Sequence, residues 1–214
     1  MNKLILWFVL IALAIGAGTF AWWWFDARWR PATLTRNQPE ITNLLEGAGW
    51  VSPKLTGPKA YILVFRDCPD CIRYVEEELP RLIKAGVETR IIVIARPDLN
   101  GVEKSSAVER TTVAELWINR SWDLWQDWSA AAPGAWTAAA LPAADGDIAR
   151  TAVVEAGRKV VADLAPLLKA NGLKVGDGQV RYPTIIWWTR EGVMKGCVCE
   201  QPQTWGAVRK DLGA

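Results

Sequence analysis

The sequence predicts an α/β domain behind one N-terminal membrane-spanning helix, and three features of its 214 residues carry that expectation. An apolar run, Tyr61-Ile62-Leu63-Val64-Phe65, is followed by a helical pattern and then by a second apolar run, Val87–Ala95, the order of a parallel strand–helix–strand crossover. Between the first run and the helix stands Cys68-Pro69-Asp70-Cys71. Upstream, Leu4 to Phe25 holds 22 residues without a charge.

That stretch, at the helical rise, is long enough to cross a hydrocarbon core of about 30 Å. Trp22, Trp23 and Trp24, followed by Arg28, Trp29 and Arg30, have the composition of an interfacial belt, so residues 1–30 read as a membrane anchor. The rival is a cleaved signal peptide, for which Thr19-Phe20-Ala21 roughly offers a small-x-small site; against it, the run is longer than a usual signal core and three tryptophans would follow the cut. Residues 31–58 hold Pro39, Pro53, Pro58, Gly47, Gly49 and Gly57 and one short helical stretch around Glu40–Glu46, and are expected to form a stalk and lead-in.

The domain proper is expected over 59–214. After the first strand, Ile72, Val75, Leu79, Leu82 and Ile83 recur at three-to-four spacing, which predicts an amphipathic helix over Ile72–Ala85, bent by Pro80 and closed by Gly86. Its Glu76-Glu77-Glu78 run reads as a solvated face. From about 98 to 174 the pattern is helical, in three pieces over Val102–Asn119, Trp122–Ala131 and Asp147–Asn171, with Asp147 as a helix cap and a Pro/Gly/Ala-rich break at Ala132–Gly146. Trp117, Trp122, Trp125, Trp128 and Trp136 fall there at helical spacing and read as packing. Ile185–Thr189 and Val193–Cys197, joined by Arg190-Glu191-Gly192, predict a hairpin, and Gln203–Leu212 a closing helix.

Composition narrows the chemistry. A formal charge of +2 without a basic run interleaved with aromatics argues against nucleic acid. The chain has no histidine, which removes Ser/His and Cys/His nucleophiles, histidine zinc sites and the commonest general base. No glycine-rich nucleotide fingerprint follows a strand, so no cofactor is expected and redox equivalents must come from another protein. What remains is the Cys-x-x-Cys pair. A strand that delivers Cys68 to a helix N-terminus places it among unpaired N–H groups at the positive end of the helix dipole, where a thiolate is favoured. Cys68 is the expected nucleophile. Cys71, one turn inside the helix, is placed to resolve a mixed disulfide on Cys68.

Cys68-Pro69-Asp70-Cys71, the segment Leu79–Val87 leading to Ala95-Arg96-Pro97, the helical insertion, Tyr182-Pro183-Thr184-Ile185-Ile186, and Gly192–Gly196 followed by Gln201-Pro202 together resemble the thioredoxin superfamily. Within it, the chain is similar to the bacterial periplasmic disulfide isomerase family typified by DsbC and DsbG, over about Pro58 to Leu212. The resemblance implies a thioredoxin-like fold with a helical insertion at about 98–174. It implies a protein disulfide oxidoreductase or isomerase whose partners are cysteine-containing protein substrates and a membrane or periplasmic redox partner. It also implies that Pro183 is a cis-proline facing the cysteines and that Tyr182, Pro183 and Thr184 position the substrate chain.

Tyr182 departs from the small or β-branched residue usual before that proline, and the family's N-terminal dimerisation domain is replaced here by a span and a short stalk, so oligomeric state is left open. Pro69 and Asp70 lie between the cysteines and tune them: the Asp70 carboxylate opposes a Cys68 thiolate, favouring reductase or isomerase poise over strong oxidase, unless it only satisfies a helix-start amide.

In a thioredoxin-like sheet the strand after the final hairpin returns to the active-site edge, so Cys197 and Cys199 should lie near Cys68. They are a candidate second redox pair exchanging with Cys68–Cys71; a four-thiolate metal site, a local structural disulfide and two inert thiols are the other readings, and the Cys-x-Cys spacing weakens the metal. Two function classes stand. One is a membrane-anchored thiol–disulfide oxidoreductase, the other a thioredoxin-like binding or assembly module or metal chaperone of an envelope or secretion machine. Lys3 before the span against Arg28, Arg30 and Arg36 after it would by charge alone place the domain in the cytoplasm. Redox chemistry and the length of the exported part favour a single pass through a bacterial inner membrane with the domain in the periplasm.

Overall fold

The computed structural model describes residues 3–25, 29–132, 134–176 and 179–214. It is a mixed α/β structure: a six-stranded sheet with helices on both faces, preceded by one apolar helix. That helix, α1 (Lys3–Phe25), is long and apolar enough to cross a membrane, with mean hydropathy 1.6 over Trp7–Trp24 and none of that window buried. Arg28 of the expected interfacial belt lies outside the described residues.

Residues 31–58 are more than the expected stalk. They supply β1 (Ala32–Thr33), α2 (Gln38–Gly47) and β2 (Trp50–Val51), and the two strands form the opposite edges of the sheet. Few as they are, the apolar side chains here are deeply placed: Leu34, Ile41, Leu45 and Val51 have no exposed surface. Burial of such groups is worth about 1.5–3 kcal/mol apiece, which outweighs the loop-forming bias of the intervening prolines and glycines.

β3 (Lys59–Val64) and β4 (Glu88–Val93) pair in parallel at the centre, and between them lie α3 (Pro69–Glu77) and α4 (Leu79–Lys84). The single bent helix expected over Ile72–Ala85 is thus two, because Pro80 has no N–H to continue the ladder. Glu76 and Glu77 are exposed as a solvated face requires, but Glu78 at the break is fully buried and accepts a 2.5 Å bond from Arg209.

After β4 come α5 (Ala107–Asn119), α6 (Trp122–Ala130), α7 (Ile148–Ala170) and a small ribbon of β5 (Val175–Gly176) with β6 (Gln179–Val180). α5 starts five residues later than the apolar spacing suggests. Leu99 and Val102 bridge a tight turn through Asn100 and Gly101, both at positive φ, and Ser106 caps the helix by accepting from the Glu109 amide. The Asp147 side chain caps α7, as its position predicts. β7 (Thr184–Trp188) and β8 (Met194–Val198) form the hairpin, turning at Gly192 with φ +79°, and α8 (Trp205–Leu212) closes the chain.

The strand order is β1-β8-β7-β3-β4-β2, antiparallel except for β3–β4. Side chains alternate between two cores: Ala60, Ile62 and Val64 meet α3, α6 and α8, while Tyr61 and Leu63 meet α2 and α7. Covering both faces explains why the central strands read as unbroken apolar runs. The tryptophans pack as expected, Trp125 and Trp128 buried and Trp117 wedged between elements. Gly49 is required there, since a Cβ would lie 2.4 Å from the Trp117 ring.

Candidate functional site: a cysteine pair at a helix N-terminus

The site stands at the carboxyl ends of β3 and β8 and the start of β7. Cys68 is the N-cap of α3, in extended backbone, with Pro69 preset for the first helical position. Its Sγ accepts a 3.1 Å bond from the Cys71 amide and its carbonyl accepts from Ile72. The cysteine sulfur therefore takes the place of a capping oxygen, directly against the donors that a thiolate would use. Cys68 and Cys71 are paired as a disulfide with Cα atoms 5.0 Å apart, and both are buried, Cys68 with 5 % of its surface exposed.

The Tyr182-Pro183-Thr184 segment meets this pair through the backbone of its first residue. The Tyr182 carbonyl lies 3.7 Å from Cys68 Sγ, and the Tyr182–Pro183 peptide is cis. Pro183 is buried, and Thr184 opens β7 with its hydroxyl donating to the Arg181 carbonyl. The Tyr182 ring packs edge-on to Phe65 at 5.1 Å, and Arg96 lies 4.2 Å over the other aromatic of that pair. Burial holds the Tyr182 phenol neutral by pushing its ionisation above the usual range.

Asp70 bonds neither a helix-start amide nor the cysteines: its carboxylate accepts from Arg73 at 3.0 Å. Arg73 also donates to the Glu200 carbonyl at 2.5 Å and lies 5.8 Å over Trp205, so one guanidinium ties α3 to the segment after β8. The carboxylate that would oppose a Cys68 thiolate is partly neutralised by that cation.

Cys197 and Cys199 come to the same end of the sheet. They are paired, with Cα atoms 5.3 Å apart, and the Cys199 amide donates a 2.8 Å bond to the Pro183 carbonyl. The Cys199 carbonyl accepts from Trp205 Nε1 at 2.9 Å, and Trp205 packs edge-on to Tyr74, three residues beyond Cys71 on α3. All four cysteines belong to one buried cluster.

Glu109 is the participant that sequence patterning conceals. Ser106-x-x-Glu109 reads as a capping box, yet the side chain is only 6 % exposed and its Oε1 has no hydrogen-bond partner. It lines a cavity of about 230 Å³ with Arg66, Asp67, Trp128 and Trp136, next to the residue that precedes Cys68. Burial, and then the nearby Asp67 charge, push its carboxyl from an ordinary 4.5 up to about 7. Neither a protein-family model nor a curated protein matches this chain.

Proposed function

We propose that the protein is a membrane-anchored thiol–disulfide oxidoreductase of thioredoxin-like fold, a DsbC/DsbG-like reductase or isomerase of protein disulfides whose domain faces the periplasm. The observation that carries the reading is Cys68 Sγ at the N-cap of α3, bonded by the Cys71 amide and 3.7 Å from the carbonyl that precedes the buried Pro183. That amide and the helix dipole are oriented before reaction and favour a thiolate at Cys68.

In the reductive direction the Cys68 thiolate attacks a client disulfide, forming a Cys68–client bond and releasing one client thiolate, which takes up a proton. Cys71 then loses its proton and attacks Cys68 Sγ; the Cys68–Cys71 bond forms, and the second client sulfur leaves as a thiol. Two electrons pass from the pair to the client, and a partner dithiol restores them. The chain segment from Tyr182 to Thr184 holds the client backbone beside Cys68, and the Tyr182 ring against Phe65 narrows what fits there.

The test is the alkylation state of each cysteine, read by mass, in the detergent-solubilised full chain equilibrated across glutathione buffers. Reversible titration of Cys68–Cys71 within roughly −120 to −270 mV is the expected result. A pair that resists oxidation and reduction across that window overturns the reading.

A further inference from the structure

We propose that Cys197–Cys199 is a second redox-active disulfide that exchanges electrons with Cys68–Cys71 within the chain. The inference rests on the oxidoreductase reading above and adds an internal partner to it. Three observations carry it.

The first is position. Cys68 Sγ faces the Tyr182 carbonyl, and the Cys199 amide is bonded to the carbonyl of Pro183, the next residue. The two disulfides therefore flank one cis peptide at one end of the sheet. The second is the medium between them. Cys68, Cys71, Tyr74, Cys197, Cys199 and Trp205 share one buried cluster, and Trp205 bridges it by bonding the Cys199 carbonyl and packing on Tyr74. The third is the weakness of a structural role. A disulfide between residues two apart encloses almost no chain, so it constrains the unfolded state least of all. β8 is moreover already fixed by pairing with β7 on one side and β1 on the other. Cys197 also lines a cavity of about 220 Å³ with Arg30, Lys174 and Arg181, an approach to this pair separate from the surface at Cys68.

The exchange balances without an outside reagent. With Cys68–Cys71 reduced, the Cys68 thiolate attacks the Cys199 sulfur; the Cys68–Cys199 bond forms, the Cys197–Cys199 bond breaks, and Cys197 leaves as a thiolate and takes up a proton. Cys71 then attacks Cys68, giving Cys68–Cys71 and a Cys199 thiolate that receives the proton Cys71 gave up. Two electrons move from one pair to the other, and the reverse sequence returns them.

Replacing Cys71 by Ser removes the second step and stops the exchange at the crosslink. The full-length Cys71→Ser chain in detergent is acid-quenched, alkylated, digested and mapped, and its fold is checked by near-ultraviolet circular dichroism. The expected result is loss of the free Cys68 thiol, with Cys68 recovered mainly in a peptide crosslinked to Cys199 or Cys197. Cys68 recovered free beside an intact Cys197–Cys199 bond, in a chain whose Cys68 still forms a disulfide with oxidised glutathione, overturns the inference alone. A Cys68 inert to oxidised glutathione as well overturns the oxidoreductase reading and the relay with it. Should the variant fail to fold, the wild-type chain given two electrons by dithiothreitol reads the same step. Reduction of Cys197–Cys199 should then follow that of Cys68–Cys71 at a rate independent of reductant concentration; a rate proportional to reductant overturns the exchange.

Discussion

Glu109 lines a cavity with Asp67, and Arg73 pairs with Asp70; each gives a measurable consequence. The Glu109 carboxyl holds its proton to about pH 7 in the folded chain, against an ordinary 4.5, so the folded state binds the extra proton between those values. Its favourable contribution is complete below about pH 4.5, declines as pH rises and is gone above 7, a swing of roughly 3 kcal/mol at most. Glu109→Gln should therefore flatten the fall in thermal midpoint between pH 5 and 8, and an unchanged slope would count against the burial of an ionisable carboxyl there. Arg73 acts through Asp70. Arg73→Ala leaves that carboxylate unpaired near the thiolate and should slow alkylation of reduced Cys68 at neutral pH by roughly two- to fivefold, the scale of a partly exposed ion pair. Asp70→Asn in the same chain should restore the rate, and a rate that stays low would assign Arg73 only its contact with Glu200 and Trp205.

Among the elements, legibility followed the strength of the local period. The Cys-x-x-Cys turn, the parallel crossover, the hairpin and the helix capped by Asp147 could be read from spacing, because each buries a face whose pattern is continuous in the chain. The lead-in could not be read so fully. Leu34, Ile41, Leu45 and Val51 are spread among prolines and glycines, and their burial comes from α7, α5 and the sheet, far along the sequence. Glu78 was misleading for the same reason: its partner is Arg209, on the last helix. If α2 is part of the core, Ile41→Ala should destabilise the domain by about 2–4 kcal/mol in urea unfolding without changing the alkylation pattern of the four cysteines. A loss below about 0.5 kcal/mol, the range of surface substitutions, would return residues 31–58 to the standing of a stalk.

At the scale of the whole molecule, the sheet order does what no single motif can. It brings a cysteine pair from a helix start, a proline from a strand start and a second pair from a strand end to one end of the sheet, although they are spread from residue 68 to residue 199. That site belongs to a chain whose first helix has the length and apolarity to hold it at a bilayer. Anchor and cleaved signal differ in a way that mass reads directly. An anchored chain stays in the membrane fraction after an alkaline carbonate wash at its full 23.7 kDa, whereas a signal peptide leaves a soluble product shortened at about Ala21. Side follows from protease access. A periplasmic domain should be protected in intact bacterial cells and digested in spheroplasts; survival in spheroplasts and loss only on lysis would place the cysteines in the cytoplasm, where disulfides are kept reduced. The arginines that follow the span press toward that second outcome. The domain of well over a hundred residues beyond them is long enough to be translocated regardless of flanking charge, so digestion in spheroplasts is the expected result.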